Sequence, residues 1–310
     1  MVEDNEIKAQ VSPFAIREGE IKTFDGKDGY VSMNQIVHKI NIGHITDIHF
    51  AILDLVNEFE FITSRQIYQM LEIKGIDPKS QDKLNNKLDA LVKSKILTRY
   101  YFTSDEGKGI YRIYCLEKMG KYLLTSKEVE CKWQPSDNTK PVPMIKKRLA
   151  GNQVLIAYLR KVKAFDGYVV KPAITAKTLG KVFKATGGSV KLSKNGKSIQ
   201  FLFEVFRREM DWQRKLVEKM NLYKDFYESF QPGDSGFTSL PQLIFVCEDE
   251  KHMAECFKEI VTNKVEIPQI KLLFTTDLRQ NKETLDDTLV EFKLVDGKYK
   301  MEDVELKLLG

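Results

Sequence analysis

Apolar residues recur at intervals of three and four along residues 44–59, where Ile48, Ile52, Leu55 and Phe59 form a stripe that Leu53 and Val56 widen. That spacing predicts a helix. A second helix is expected to open at Thr63, because Thr63 and Gln66 have the spacing of a capping box, in which each side chain satisfies a backbone N–H of the other. Its apolar face is Ile67, Met70 and Leu71, and it should end at Gly75. A third helix is expected after Asp77-Pro78, with Asp77 as the cap and Pro78 in the first turn, where a missing N–H costs nothing. Leu84, Leu88, Leu91 and Val92 form its stripe, while Lys83, Asn86 and Lys87 occupy the other faces. Two extended segments, 99–102 and 110–114, then bracket a polar, glycine-rich loop at 104–109, and a helix at 117–125 closes the unit. Three short helices followed by a hairpin are the order of a winged helix-turn-helix, expected over 44–126 after an N-terminal extension, 1–43.

Beyond residue 126 the periodicity lapses. Residues 127–150 carry Pro135, Pro141 and Pro143 among polar residues and read as a linker. Helical spacing resumes at 152–163, and Asn195-Gly196 then separates 189–193 from 198–206, the strongest short signal for a hairpin. The second of those strands is almost wholly apolar, as a strand covered on both faces should be. A charged helix at 209–228, a strand at 243–247, a helix at 250–261 and a strand at 271–275 complete an alternation that predicts an α/β sandwich over 151–310. The fold expected overall is therefore α/β, and its second half would accommodate a degenerate restriction-endonuclease-like core.

Charge changes the picture in one place. Within 146–197, thirteen Lys and Arg face a single acid, Asp166, in a chain whose net charge is only +5. Such a segment attracts polyanions, which makes Lys171, Lys177, Lys181 and Lys184 candidate DNA contacts. An acidic protein partner is the competing reading. In the first unit the candidates are Lys83, Asn86 and Lys87, because amide and ammonium groups on a short helix can meet base edges and phosphates. Lys108 and Arg112 join them from the hairpin.

Candidate chemistry adds little. The four cysteines contain no CxxC pair, and no phosphate-loop or zinc-peptidase motif occurs, so no cofactor is expected. Cys256 and His252 are an i,i+4 pair that reads as packing. Glu204, an acid inside an apolar strand, is a weak candidate metal ligand of the restriction-endonuclease kind. A lysine belongs two residues later, where Phe206 stands, and 188–192 supplies no second acid. The favoured reading is a structural carboxylate paired with a basic side chain, Arg207 or Arg208 being the nearest along the chain. No apolar run approaches the 18 residues a membrane helix needs, and the acidic, polar start is unlike a secretion signal, so a cytoplasmic protein is expected.

The chain resembles the plasmid replication-relaxation family, proteins of plasmids and other mobile elements. The resemblance rests on residues 48–59 and 62–67, on 83–92, 96–99 and 114–120, on Phe203-Glu204-Val205, and on 222–227 and 241–246. It implies a winged helix whose DNA-contacting role falls on Arg65, Lys83, Asn86 and Lys87. The family's acid after Glu-Val is replaced here by Phe206, which weakens a nuclease reading. The function expected is that of a non-enzymatic accessory protein that binds double-stranded DNA sequence-specifically in replication, relaxation or transfer. A transcriptional regulator and a metal-dependent nuclease are the alternatives. Replication or relaxase proteins and a second copy of the chain stay open as partners.

Overall fold

The computed structural model describes residues 12–104, 107–282, 284–285, 288–295 and 298–304, and the side chains of 107–110 and 298 lie outside that set. The chain begins with β1 (Ile21–Phe24), α1 (Met33–Asn41), α2 (Asp47–Phe59), β2 (Ile62–Thr63), α3 (Ser64–Ile73) and α4 (Gln81–Lys93). It continues through β3 (Leu97–Ser104), β4 (Gly107–Leu116), α5 (Lys118–Ser126) and the long α6 (Val142–Lys161). The capping box at Thr63 is present, with Gln66 N–H donating to the Thr63 hydroxyl and Thr63 N–H to Gln66 Oε1. Asp77 does not cap α4. Ser80 does, accepting from Lys83 N–H, while Asp77 turns back onto Lys79 N–H. Three residues separate Asp77 from the first helical turn, too far for its side chain to serve it.

A four-stranded sheet, ordered β1-β3-β4-β2, backs α2 to α5. The expected extension at 1–43 is therefore part of the fold in its described residues: β1 pairs antiparallel with β3, Ile21 opposite Thr103. The linker expected at 127–150 is shorter, because α6 begins at Val142. Its first eleven residues carry Lys146, Lys147, Arg148, Gly151 and Asn152, a composition that imitates a loop. The helix is covered on opposite sides, by α3 and by a sheet, so it shows no polar face to read.

That second sheet is built from β5 (Phe165–Val169), β8 (Gly188–Lys194), β9 (Lys197–Val205), β10 (Gln242–Cys247), β11 (Leu273–Thr276), β12 (Leu289–Val295) and β13 (Lys298–Val304). A separate hairpin, β6 (Ala173–Ala176) and β7 (Lys181–Lys184), packs beside α7 (Trp212–Glu228), and α8 (Glu250–Thr262) follows β10. The order is β13-β12-β11-β10-β9-β8-β5, with β9, β10 and β11 parallel and the remaining pairs antiparallel. Asn195 and Gly196 turn the β8–β9 hairpin at φ 51° and 75°, the backbone a two-residue turn of this kind requires. On β9, Phe201, Phe203 and Val205 face α6, and Leu202 faces α7. The mixed α/β sandwich expected of the second half is present. The α6-side core also runs on without interruption into α2, α3 and α4.

Residues 12–20 lie across the carboxyl ends of the parallel strands. Ser12 Oγ donates to Asp277, Ile16 N–H to Glu248 Oε1 at 3.3 Å, and Tyr111 OH to Pro13 O at 2.9 Å. Lys146 Nζ reaches Ala15 O and Glu20. Underneath, Arg207 is wholly buried and meets both oxygens of Asp277 at 2.8 Å.

Candidate nucleic-acid interface

Lys83, Asn86 and Lys87 follow at three and four positions on α4 and share its outer face, since Leu84, Leu88, Leu91 and Val92 take the inner one. Beside them is a shallow hollow of about 580 Å³, lined also by Ile48, His49, Ile76 to Lys79 and Ala90. Lys83 and Asn86 are exposed, and neither Lys83 nor Lys87 has an ion pair among the described residues. His49 accepts from Thr46 N–H at Nδ1, 3.1 Å away. Burial, helped by the nearby Lys87, holds the His49 imidazole neutral by pushing its pKa down to about 4. Lys79, a residue the sequence pattern did not single out, belongs to this surface, though it is tied to Asp77 at 2.7 Å.

The other candidates from the first half separate. Arg65 is exposed in the first turn of α3, with no ion pair among the described residues. Arg112 on β4 donates to Asp25 Oδ2 at 3.1 Å and so ties the hairpin to the segment after β1. Lys108 lies on β4 opposite Thr103, its side chain outside the described residues.

The basic stretch 146–197 does not form one free positive face. Seven of its thirteen cations meet acids: Lys146 with Glu20, Lys147 with Glu209, Arg148 and Lys171 with Glu60, Arg160 with Glu72, Lys177 with Asp234 and Lys191 with Asp166. All but the last of these acids come from elsewhere in the sequence, so the local count overstated the charge that is free. Of the four candidate lysines, Lys171 and Lys184 line one hollow. Lys177 and Lys181 belong to the turn end of the β6–β7 hairpin, and Lys177 is held by Asp234 at 2.6 Å.

Glu204 is buried against α7. The Thr186 hydroxyl donates to Oε1 at 2.7 Å, the Tyr223 hydroxyl to Oε2 at 2.6 Å, and Lys219 Nζ lies 3.5 Å from Oε2. The basic partner is therefore Lys219 rather than Arg207 or Arg208. Arg207 is taken by Asp277, and Arg208 by Asp249, Glu248 and Glu255. Both carboxylate oxygens are engaged, and the one group among the described residues whose atoms could gather on a metal ion does not include Glu204. That group is Cys247, His252 and Cys256, with ligand atoms within 4.8 Å of one another and all three residues buried. The structure thus adds Cys247 to the pair visible in the sequence. Glu248 N–H donates to His252 Nδ1 at 3.3 Å, which places the ring's proton on Nε2 and leaves neither nitrogen a free lone pair. No described helix is long and apolar enough to cross a membrane.

A search of curated proteins finds no match. Among solved structures, the restriction endonuclease FokI aligns with 75% of this chain and 43% of its own, at 11% identity and a TM-score of 0.27. The chain thus spans less than half that protein's length, and a likeness of this size establishes neither fold nor function. A family model described as replication-relaxation matches residues 53–240, which take in α3, α4 and the hairpins β3–β4, β6–β7 and β8–β9. That match covers more than half of the sequence, and the chain belongs to the replication-relaxation family.

Proposed function

We propose that the protein binds double-stranded DNA through a winged helix-turn-helix formed by α2 to α5 with the β3–β4 hairpin as wing, serving replication, relaxation or transfer of a plasmid or other mobile element. One observation carries this reading. The cations on the outer face of α4, Lys83 and Lys87, are unpaired among the described residues, while most of the basic stretch 146–197 is committed to internal acids. Unpaired ammonium groups flanking an exposed amide suit a surface that meets phosphates and base edges together. The role is non-enzymatic, supported by the engagement of both Glu204 oxygens by Thr186, Tyr223 and Lys219. Replication or relaxase proteins, and a second copy of the chain, are the partners such a role would use in the cytoplasm.

The test is duplex binding by the full chain, followed by fluorescence anisotropy over a range of salt. Changing Lys83 and Lys87 together to Gln should lower the slope of log affinity against log salt by up to about 1.8, at roughly 0.9 for each phosphate no longer neutralised. An unaltered affinity and slope would remove α4 from the interface.

A further inference from the structure

Where α2 ends, two adjoining hollows of about 270 and 240 Å³ share Glu60, Phe61, Lys140 and Lys171. Glu60 terminates α2 and presents a single carboxylate to three cations. Lys171 is in contact with it, Lys140 lies at 3.8 Å and Arg148 at 4.0 Å. Asp137 takes a share of Lys140 at 2.9 Å. Lys184 lines the larger hollow and has no ion pair among the described residues. Four cations, Lys140, Arg148, Lys171 and Lys184, thus face two carboxylates, leaving two positive charges over. Lys132 and Lys147 also line the hollows, but Glu130 and Glu209 answer them.

Arg148 supplies a second, independent observation. It is only 7% exposed, yet its guanidinium has one hydrogen bond among the described residues, from Nη1 to Val170 O at 2.9 Å. A guanidinium carries five N–H donors, and a buried one with donors to spare seeks an anion. Burial also pushes the pKa values of Arg148 and Lys171 down, the penalty that a bound anion would offset.

We propose that this double hollow is a phosphate-binding site, with Arg148, Lys171, Lys140 and Lys184 as its donors. The phosphate can belong to a DNA backbone or to a free phosphate compound, and only the first source rests on the duplex-binding reading. His49 and Glu60 are eleven residues apart on or just past α2, about 16 Å of helix at 1.5 Å per residue. That is roughly five phosphate spacings along one strand, short enough for one duplex to reach both places.

The experiment uses the full chain and two probes, inorganic phosphate and a random-sequence duplex. Phosphate is expected to raise the melting temperature relative to chloride at equal ionic strength. Lys171→Gln with Lys184→Gln should weaken phosphate binding at least tenfold. If the source is a duplex, the same variant lowers the salt slope of DNA binding by about 0.9. Phosphate binding lost with an unchanged slope assigns the site to a free phosphate compound. No effect of phosphate and no change in slope overturns the proposal. Should the double variant melt early in chloride, Lys184→Gln alone, at an exposed side chain, serves instead. Lys83→Gln with Lys87→Gln separates this site from the α4 face, since it should weaken duplex binding and leave phosphate binding intact.

Discussion

In the proposed interface, Asn86 and Lys83 share a helix face but would ask different questions of a duplex. An amide can pair with a base edge on two atoms, whereas an ammonium meets any phosphate. Asn86→Ala should therefore cost about 1–3 kcal/mol at a specific site and little on random DNA, measured by competition between the two; equal losses would place Asn86 on the backbone. His49, beside the same hollow, links this surface to pH. Unfolded, it takes up a proton near pH 6.5; folded, only near 4. The unfolded chain then binds more protons between those values, so stability is full above about pH 6.5 and falls as pH drops toward 4. His252, pushed down to about 3 mainly by burial, acts in the same direction. His49→Gln keeps a capping partner for Thr46 and removes one titration, so its urea midpoint should fall less between pH 7 and 5 than the wild type's. Parallel declines would sink the argument. At this scale the sequence revealed residue types but not their partners. Lys83 and Lys171 look alike in the sequence, and only the fold brings Glu60 to Lys171 and no acid to Lys83 among the described residues.

Elements announced themselves where their signals are local. The Thr63 capping box and the Asn195-Gly196 turn depend on neighbours within four residues, and both appear as read. The start of α6 and the strand β1 depend on partners far away. The charges of α6 look like a linker until Glu20, Glu209 and Glu60 arrive to pair them, and four residues of β1 gain a ladder only from β3. Close packing of α6 onto the sheet has its own test at Gly151. A Cβ there would lie 2.6 Å from Thr186 O and 2.8 Å from the Gly187 Cα, both backbone atoms. Alanine in place of glycine favours a helix by about 1 kcal/mol. Overpacking typically costs about 1–3 kcal/mol, and the Thr186-Gly187 bend is pinned just before β8 by the hydrogen bond from Gly187 N–H to Phe203 O at 2.9 Å, so the clash should win. Gly151→Ala is expected to lower the urea midpoint, and a raised midpoint would show that the helix can stand off.

Two separate units joined by a tether would unfold in two steps, and this molecule should not. Its α6-side core is shared, and hydrogen bonds cross between the halves: Gln66 Nε2 donates to Leu149 O at 2.7 Å and Asn152 Nδ2 to Phe61 O at 2.7 Å. The two tryptophans, Trp133 and Trp212, report on different halves. Single-tryptophan variants made with Phe should give coincident urea midpoints, and midpoints well apart would restore the tether. Composition hinted at this interlocking without revealing it, because acids of the first 61 residues neutralise cations of the basic stretch only once folded. The contact between Ser12 and Asp277 joins residues 265 positions apart and so carries a long wait. On a ribosome adding roughly 5–20 residues each second, about 13 to 53 seconds separate the making of its two partners. During that interval Phe14 can already meet Tyr111, and β1 can hold the segment close by pairing with β3, but Ser12 has no Asp277 to bond. Residues 12–20 are therefore synthesised long before all of their partners exist.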